Sequence, residues 1–382
     1  MQKKHLYSFI GGVIFLFCII GCIIIYNNIP LRTAIYRNFA KQTVYLTTEE
    51  DTIYSFGYFG VQKWVIDNNG KTTLLAENDS FCHNCFIGHL IGRSGAINKE
   101  YLYVAARSYI GGVYKSKSKK YLKGKLLVMR KHDLQIVNEY DADYSMIEAK
   151  IHGNNLIVSG LQGFNLYNIS NPKEPKLTYS FRTNKPLEFQ GCEFIEKDTA
   201  LYVAFARFNE GLSIYNITNP SHTHLTAHIS IQDPQINGTT LPKGLQTFRL
   251  ALDYPYLYSS LGPTINTFET KNDYRGIMIY DISDINNIKQ QSVPIPQSDW
   301  YSRKTGDPQP SHIDIYDDKI YVNFCEQGVA IFSKPTPTKS SKYENLINVT
   351  NGKMILPLKI NDKGILLLGS FNSEKIFNYN LK

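Results

Sequence analysis

Residues 166–172 read LYNISNP, residues 214–220 read IYNITNP, and a shorter copy, IYDISD, stands at 279–284. The copies begin 48 and then 65 residues apart (166, 214, 279) and keep one order: apolar, aromatic, polar, Ile, hydroxyl. A repeat of this period marks a solenoid or a propeller, in which each unit buries its hydrophobic face only against its neighbours. Working outward, apolar-aromatic runs recur along the chain: IYSFGYFG from 53, LYVAARSY from 102, LIVSGLQG from 156, LYVAFARF from 201, LYSSLGP from 257, IYVNFCEQG from 320 and ILLLGSFN from 365. Their second residues, Tyr54, Tyr103, Ile157, Tyr202, Tyr258, Tyr321 and Leu366, lie 49, 54, 45, 56, 63 and 45 residues apart. The chain therefore counts seven units.

Inside a unit, Tyr, Ile, Val, Leu and Thr alternate with polar residues between Asn, Asp, Gly and Pro, which is the pattern of short strands and turns. The stretch from 312 shows the order best: HIDIYDD, KIYVNFCEQ, GVAIFSK and YENLINV read as strands A, B, C and D of one antiparallel blade. Four short strands per unit and seven units predict an all-β, seven-bladed β-propeller of four-stranded antiparallel blades, preceded by one N-terminal apolar helix. LYNISNP is then strand C with the turn that leaves it, Ile169 facing an adjacent blade and Asn171-Pro172 turning the chain.

The units LIVSGLQGFNLYNISNP, LYVAFARFNEGLSIYNITNP and GIMIYDISD resemble the LVIVD repeat of bacterial and archaeal surface proteins. The likeness is strong near Leu156, Leu201 and Leu257 and fair near Ile320. It decays near Ile53, Tyr101 and Ile365, where strand C reads KWVIDNNG, LLVMRKHD and KIFNYNLK. The resemblance implies a propeller displayed outside the cytoplasm and supplies no catalytic residues, since its motif positions are structural.

Lys3 and Lys4 precede LYSFIGGVIFLFCIIGCIII, an uncharged run over 6–25 that is long enough to span a bilayer. Residues 1–28 read as an uncleaved signal anchor or as a lipoprotein signal, in which Cys22 after Ile19-Ile20-Gly21 takes the lipid. Residues 29–42 form a linker and 43–382 the propeller. KIFNYNLK, near the end of the sequence, leaves the seventh blade without an outer strand, and LRTAIY at 31–36 is placed to supply it and cover a bare sheet edge.

Composition fits one large β domain, with 27 Tyr and 20 Phe for its core. The net charge of +8 tolerates an anionic partner without demanding one. No aromatic-basic motif of a nucleic-acid module occurs, so no nucleic-acid partner is expected.

The long connections mark the functional side. They are 77–95, 108–125, 233–244, 261–276 and 294–311, all read as D-to-A or B-to-C links, which leave one side of the disc. Loops on a rigid scaffold carry binding. In DWYSRKTGDPQPSH, Trp300, Tyr301, Arg303 and His312 are residue types favoured at binding hot spots, although a tryptophan also serves to pack a loop down. Arg249 and Gln190, on other A strands, are expected beside His312 at the channel mouth. KSKSKKYLKGK supplies Lys115, Lys117, Lys119, Lys120, Lys123 and Lys125 for an anionic surface, or else a solvated hairpin tip.

Cys82 and Cys85, in CHNC with His89 nearby, suit a disulfide in an oxidising envelope, with zinc as the rival. Cys192 and Cys325 read as buried residues on strands of non-adjacent blades. Asn168, Asn216, Asn237 and Asn348 match the glycosylation pattern, but the first two belong to the repeat itself. No nucleophile elbow, phosphate loop, zinc-protease helix or calcium loop occurs, and no metal or cofactor is expected. The sequence thus predicts a membrane-tethered scaffold in the cell envelope that binds an envelope protein or polysaccharide. The alternative is an enzyme working at the channel mouth on an envelope polysaccharide or other anionic substrate.

Overall fold

The computed structural model of the protein describes residues 43–67, 70–82, 89–109, 124–183, 189–231, 245–263, 274–296, 310–336, 338–348, 355–370 and 376–381. Blade one holds β1 (Thr43–Glu49), β2 (Thr52–Gly57), β3 (Gly60–Ile66) and β4 (Thr72–Asn78). Blade two holds β5 (His89–Ile97), β6 (Tyr101–Tyr109), β7 (Gly124–Arg130) and β8 (Ile136–Ala142). Blade three holds β9 (Met146–His152), β10 (Asn155–Gly160), β11 (Gly163–Asn168) and β12 (Lys176–Arg182). Blade four holds β13 (Gly191–Lys197), β14 (Ala200–Ala206), β15 (Leu212–Asn216) and β16 (His224–Ile229). Blade five holds β17 (Leu245–Asp253), β18 (Tyr256–Pro263), β19 (Gly276–Asp281) and β20 (Lys289–Pro294). Blade six holds β21 (His312–Tyr316), β22 (Lys319–Asn323), β23 (Val329–Ser333) and β24 (Tyr343–Ile347). Blade seven holds β25 (Ile355–Ile360), β26 (Ile365–Ser370) and β27 (Ile376–Asn380).

Each blade is a separate antiparallel meander, and the first strands pack side by side in blade order, with β1 against both β5 and β25. The ring is therefore closed, as the seven-unit repeat predicts. The apolar helix, the signal segment and residues 31–36 lie outside the described residues. Among the described residues, blade seven has three strands.

Seven buried clusters fill the seven blade-to-blade seams. The reason is visible in β14, ALYVAFA: successive side chains point to opposite faces of a strand. Val203 and Phe205 pack toward blade three, while Ala204 and Ala206 pack toward blade five. Both faces are covered, so the second strands are almost continuously apolar. At the seam of blades three and four, Phe164 stacks on Phe205 at 4.6 Å and meets Phe189 edge-on.

The repeated heptad has a local and a long-range job. The side chains of Asn168, Asn216 and Asp281 accept the backbone N–H of Ser170, Thr218 and Ser283 at 2.9, 3.0 and 3.1 Å. These Asx turns end the third strand. The following isoleucine donates its N–H back toward the start of its own blade: Ile169 to the Asn154 carbonyl, Ile217 to Leu201 and Ile282 to Pro255. Ile169 packs into the seam with blade two, an adjacent blade as expected, and Ile217 and Ile282 likewise face the preceding blades three and four. The turn is also a receptor: the Tyr103 hydroxyl, on β6 of blade two, donates to the Pro172 carbonyl of blade three at 2.7 Å.

One placement differs from the sequence reading. Cys192 lies on β13, but Cys325 opens a one-turn 3-10 helix, Cys325–Gln327, rather than sitting in a strand. Its backbone adopts a left-handed φ of 51°, which breaks the ladder after Asn323. Both cysteines are buried and outside any disulfide, and burial raises the Cys192 thiol well above its ordinary value.

Candidate functional site

The seven first strands surround an axial cavity of about 420 Å³ lined by residues from every blade. Five of its polar members come from one repeated place. Tyr45, Glu148, Glu193, Arg249 and His312 each stand four residues before the last residue of their strand (49, 152, 197, 253 and 316). Equal register in five strands sets these side chains at one level of the channel. Lys150 and Asp314 follow two residues later, and Lys359 joins from β25.

These groups pair across the channel. Arg249 of blade five meets Glu148 of blade three, Nη1 to Oε2, at 3.0 Å, and both side chains are buried. Glu148 Oε2 also accepts the Cys192 N–H at 2.9 Å, and Oε1 accepts the Tyr45 hydroxyl at 3.4 Å. Arg249 Nη1 donates to the Gln190 carbonyl at 2.8 Å, and its guanidinium lies 5.7 Å from the Tyr45 ring centre. The Tyr45 ring in turn lies 5.6 Å from the His312 ring. Lys150 contacts Glu193, and Lys359 contacts Asp314 at 2.9 Å. Asp314 Oδ2 further accepts the Ile360 N–H at 2.8 Å.

Three carboxylates thus face three cations, and each is matched. Burial raises the Tyr45 phenol, with the Glu148 charge adding to the effect. Burial opposes the charge on Lys150, but the carboxylates of Glu193 and Glu148 outweigh it and hold the ammonium protonated. Removing one member of a buried pair leaves the other uncompensated at a cost of about 3–5 kcal/mol. The network ties blades one, three, four, five, six and seven together at the axis. Among the described residues, no three His, Cys, Asp or Glu side chains gather as a metal site.

Of the residues singled out from the sequence, the channel brings together Arg249 and His312. Gln190 joins them through its carbonyl, just before β13. Arg249 is held by partners inside the channel rather than presented at its mouth. Trp300, Tyr301 and Arg303 lie outside the described residues, as do Lys115, Lys117, Lys119, Lys120 and Lys123. Lys125 is a strand residue on β7, not a loop residue: its Nζ meets Glu139 at 2.5 Å and Asp141 at 3.5 Å on β8. The hydrogen bond to Glu139 raises its pKa against the opposing effect of burial. The backbone of Cys82 ends a single 3-10 turn, Ser80–Cys82, while Cys85 and Cys22 lie outside the described residues. Sequence reading missed Tyr45, Glu148, Lys150, Glu193, Asp314 and Lys359. For Tyr45, Glu148 and Glu193 the common distance from the first turn was the available signal.

The five long connections join β4 to β5, β6 to β7, β16 to β17, β18 to β19 and β20 to β21. Every one is a fourth-to-first or second-to-third link. In an antiparallel meander both kinds leave the same side of the disc. The first-to-second turns on the other side are short, as at Tyr254-Pro255 and Asp317-Asp318. Among the described residues, no helix is long and apolar enough to cross a membrane.

No family profile matches the sequence, and no curated protein matches it. The fold, in contrast, has many solved relatives. The β-propeller domain of Cps50 (Swd1) from Myceliophteria thermophila aligns with a TM-score of 0.57 at 9% identity, covering 89% of this chain and 97% of that one. Sqt1 of Saccharomyces cerevisiae aligns with a TM-score of 0.57 at 11% identity, covering 90% of this chain and 84% of its own. The computationally designed Ika8 protein aligns with a TM-score of 0.51 at 8% identity, covering 89% and 97%. Likeness at these identities establishes the architecture alone: the chain is an all-β, seven-bladed propeller.

Proposed function

We propose that the protein is a membrane-tethered propeller of the LVIVD type, held outside the cytoplasm, that serves as a binding or assembly scaffold through its loop-bearing side. The observation that carries this reading is the segregation of the five long connections to one side of the disc. A propeller built only to close on itself has no need of it, and loops fixed on a rigid frame are where recognition concentrates. The axial charges support it, because Glu148, Glu193 and Asp314 are each engaged by a cation of the same channel. A partner class of envelope proteins or anionic polysaccharide suits the aromatic and basic content of 294–311 and 108–125.

A second reading, an enzyme at the channel mouth, draws on the axial cavity of about 420 Å³ with Lys150, Arg249 and Lys359 in its wall. The two readings separate in a cross-linking pull-down from native membranes. The intact protein is compared with the Trp300→Ala, Tyr301→Ala, Arg303→Ala triple variant. A defined protein or polysaccharide captured by the former and lost from the latter is the scaffold outcome. No reproducible partner in either sample overturns it and leaves the channel.

A further inference from the structure

We propose that the cleft between blades five and six, on the side of the disc that carries the first-to-second and third-to-fourth turns, binds an acidic sugar. The cleft lies away from the long connections, and its assignment does not rest on the scaffold function.

The cleft is a cavity of about 490 Å³. Small-molecule sites span roughly 300–1,000 Å³. One wall is the rim of blade five. In its ladders Tyr256 pairs with Asp281, Asp281 with Lys289, and Ile279 with Gln291. Ladder partners, and residues two apart along a strand, point to the same face of a sheet. Ile279 and Tyr256 pack in the seam with blade six, so all five side chains face that blade, and all five residues line the cavity.

The other wall is the link from β23 to β24, where the repeated heptad gives way. Blades three, four and five join these strands with seven residues, 169–175, 217–223 and 282–288. Blade six uses nine, 334–342, reading KPTPTKSSK, and puts Ser333 where those blades have the capping Asn or Asp. The longer link is closed on itself: Thr336 donates its N–H to the Lys339 carbonyl at 2.8 Å, and Lys339 returns its own at 3.2 Å. Its base is tied to both blades. The Lys334 N–H donates to the Asp318 carbonyl of blade six at 2.9 Å, and the Lys334 ammonium meets Asp253 of blade five at 2.7 Å. The Ser341 hydroxyl donates to the Ser333 carbonyl at 2.6 Å. A wall fixed in advance spares a ligand the cost of ordering it.

The groups in the two walls fit one class of ligand. Ile279 and the half-buried ring of Tyr256 offer apolar surface to the C–H face of a sugar ring. The Gln291 amide and the Thr336 and Thr338 hydroxyls both donate and accept, which suits neighbouring sugar hydroxyls. Asp281 Oδ1 accepts the Ser283 N–H and hydroxyl at 3.1 and 2.6 Å, which leaves Oδ2 for a further donor. Lys289 and Lys339 are exposed at the rim, and neither ammonium forms an ion pair among the described residues. Two cations against one carboxylate leave one positive charge in excess, which a single carboxylate on the ligand balances. A neutral sugar would leave both ammonium groups idle. A nucleotide would call for backbone N–H groups gathered at its phosphates, whereas those of Thr336 and Lys339 are spent on each other.

The test uses the full-length protein in lipid nanodiscs, titrated with galacturonate, trigalacturonate and galactose and read by saturation-transfer NMR. Galacturonate is expected to bind, and galactose, with a CH₂OH group in place of the carboxylate, to bind about ten-fold more weakly. Lys289→Gln and Lys339→Gln should each weaken galacturonate binding about five-fold, and Gln291→Leu by a similar factor through its lost hydrogen bonds. Lys176→Gln changes the lysine that opens β12, the place in blade three that Lys289 holds in blade five, and should change nothing. An unchanged urea midpoint in each variant separates lost binding from lost folding. No galacturonate binding to the native chain, equal binding of galactose, or an equal loss from Lys176→Gln would each overturn the site. Tighter binding of trigalacturonate assigns the ligand to a polymer segment, and equal binding assigns it to a free sugar acid; both keep the chemistry proposed.

Discussion

Asn216 caps its turn with one hydrogen bond, to the Thr218 N–H, and Asp281 does the same work in blade five. Asn216→Ala should therefore lower stability by about 1 kcal/mol, and Asn216→Asp should be close to neutral, read as shifts in the urea midpoint. The axial pair is harsher. Arg249→Met strands Glu148 in a buried site and should cost about 3–5 kcal/mol, most of it recovered when Glu148→Gln is added, as a double-mutant cycle would show. Buried phenols set the alkaline limit. Burial holds Tyr144 and Tyr280 above the ordinary phenol value. Because their folded values exceed the unfolded one, their contribution is complete below about pH 10 and is lost as pH rises through and beyond it. Absorbance at the phenolate band should show a group of tyrosines ionising only together with loss of far-ultraviolet dichroism; smooth ionisation in the folded state would contradict their burial. The capping residues were legible because their role is local. Glu148 and Glu193 were not, since a polar residue alternating along a strand reads equally well as facing solvent, and only the aligned strand ends reveal the shared level.

At the scale of elements, the second-to-third connection forces close contact with the fourth strand. Gly211 holds a left-handed φ of 87°, and a Cβ there would lie 2.1 Å from the Ile229 carbonyl. Gly211→Ala should cost about 2 kcal/mol or more through strain and overpacking, measurable in the same denaturation series. Tyr103→Phe removes the hydroxyl bond that joins β6 to the turn of blade three and should cost about 1 kcal/mol without altering the fold. Strands and tight turns were readable because period-two alternation between Gly, Pro, Asn and Asp is a strong signal. The one-turn helix at Cys325–Gln327 was not, because Phe324-Cys325 continues the apolar run of β22 and only the backbone shows the reversal. The fourth-strand bulges at Thr178 and Thr226 were equally silent, since an unpaired residue leaves the alternation of its neighbours intact.

For the whole molecule, seven seams of similar construction make the ring, so its stability is the sum of neighbour contacts plus the axial ties that cross from blade three to blade five. The count of blades was visible from the spacing of Tyr54 through Leu366, whereas the binding side rests on connection lengths and on the order of strands. That side is the central claim. A photoreactive amino acid placed in turn at positions 301 and 305, in the link from β20 to β21, and at Lys173 and Ser221, in third-to-fourth turns, tests it in intact cells. A discrete adduct from the first two positions and none from the last two is the predicted result. An adduct formed only from Lys173 or Ser221, or equally from both sides, would contradict it.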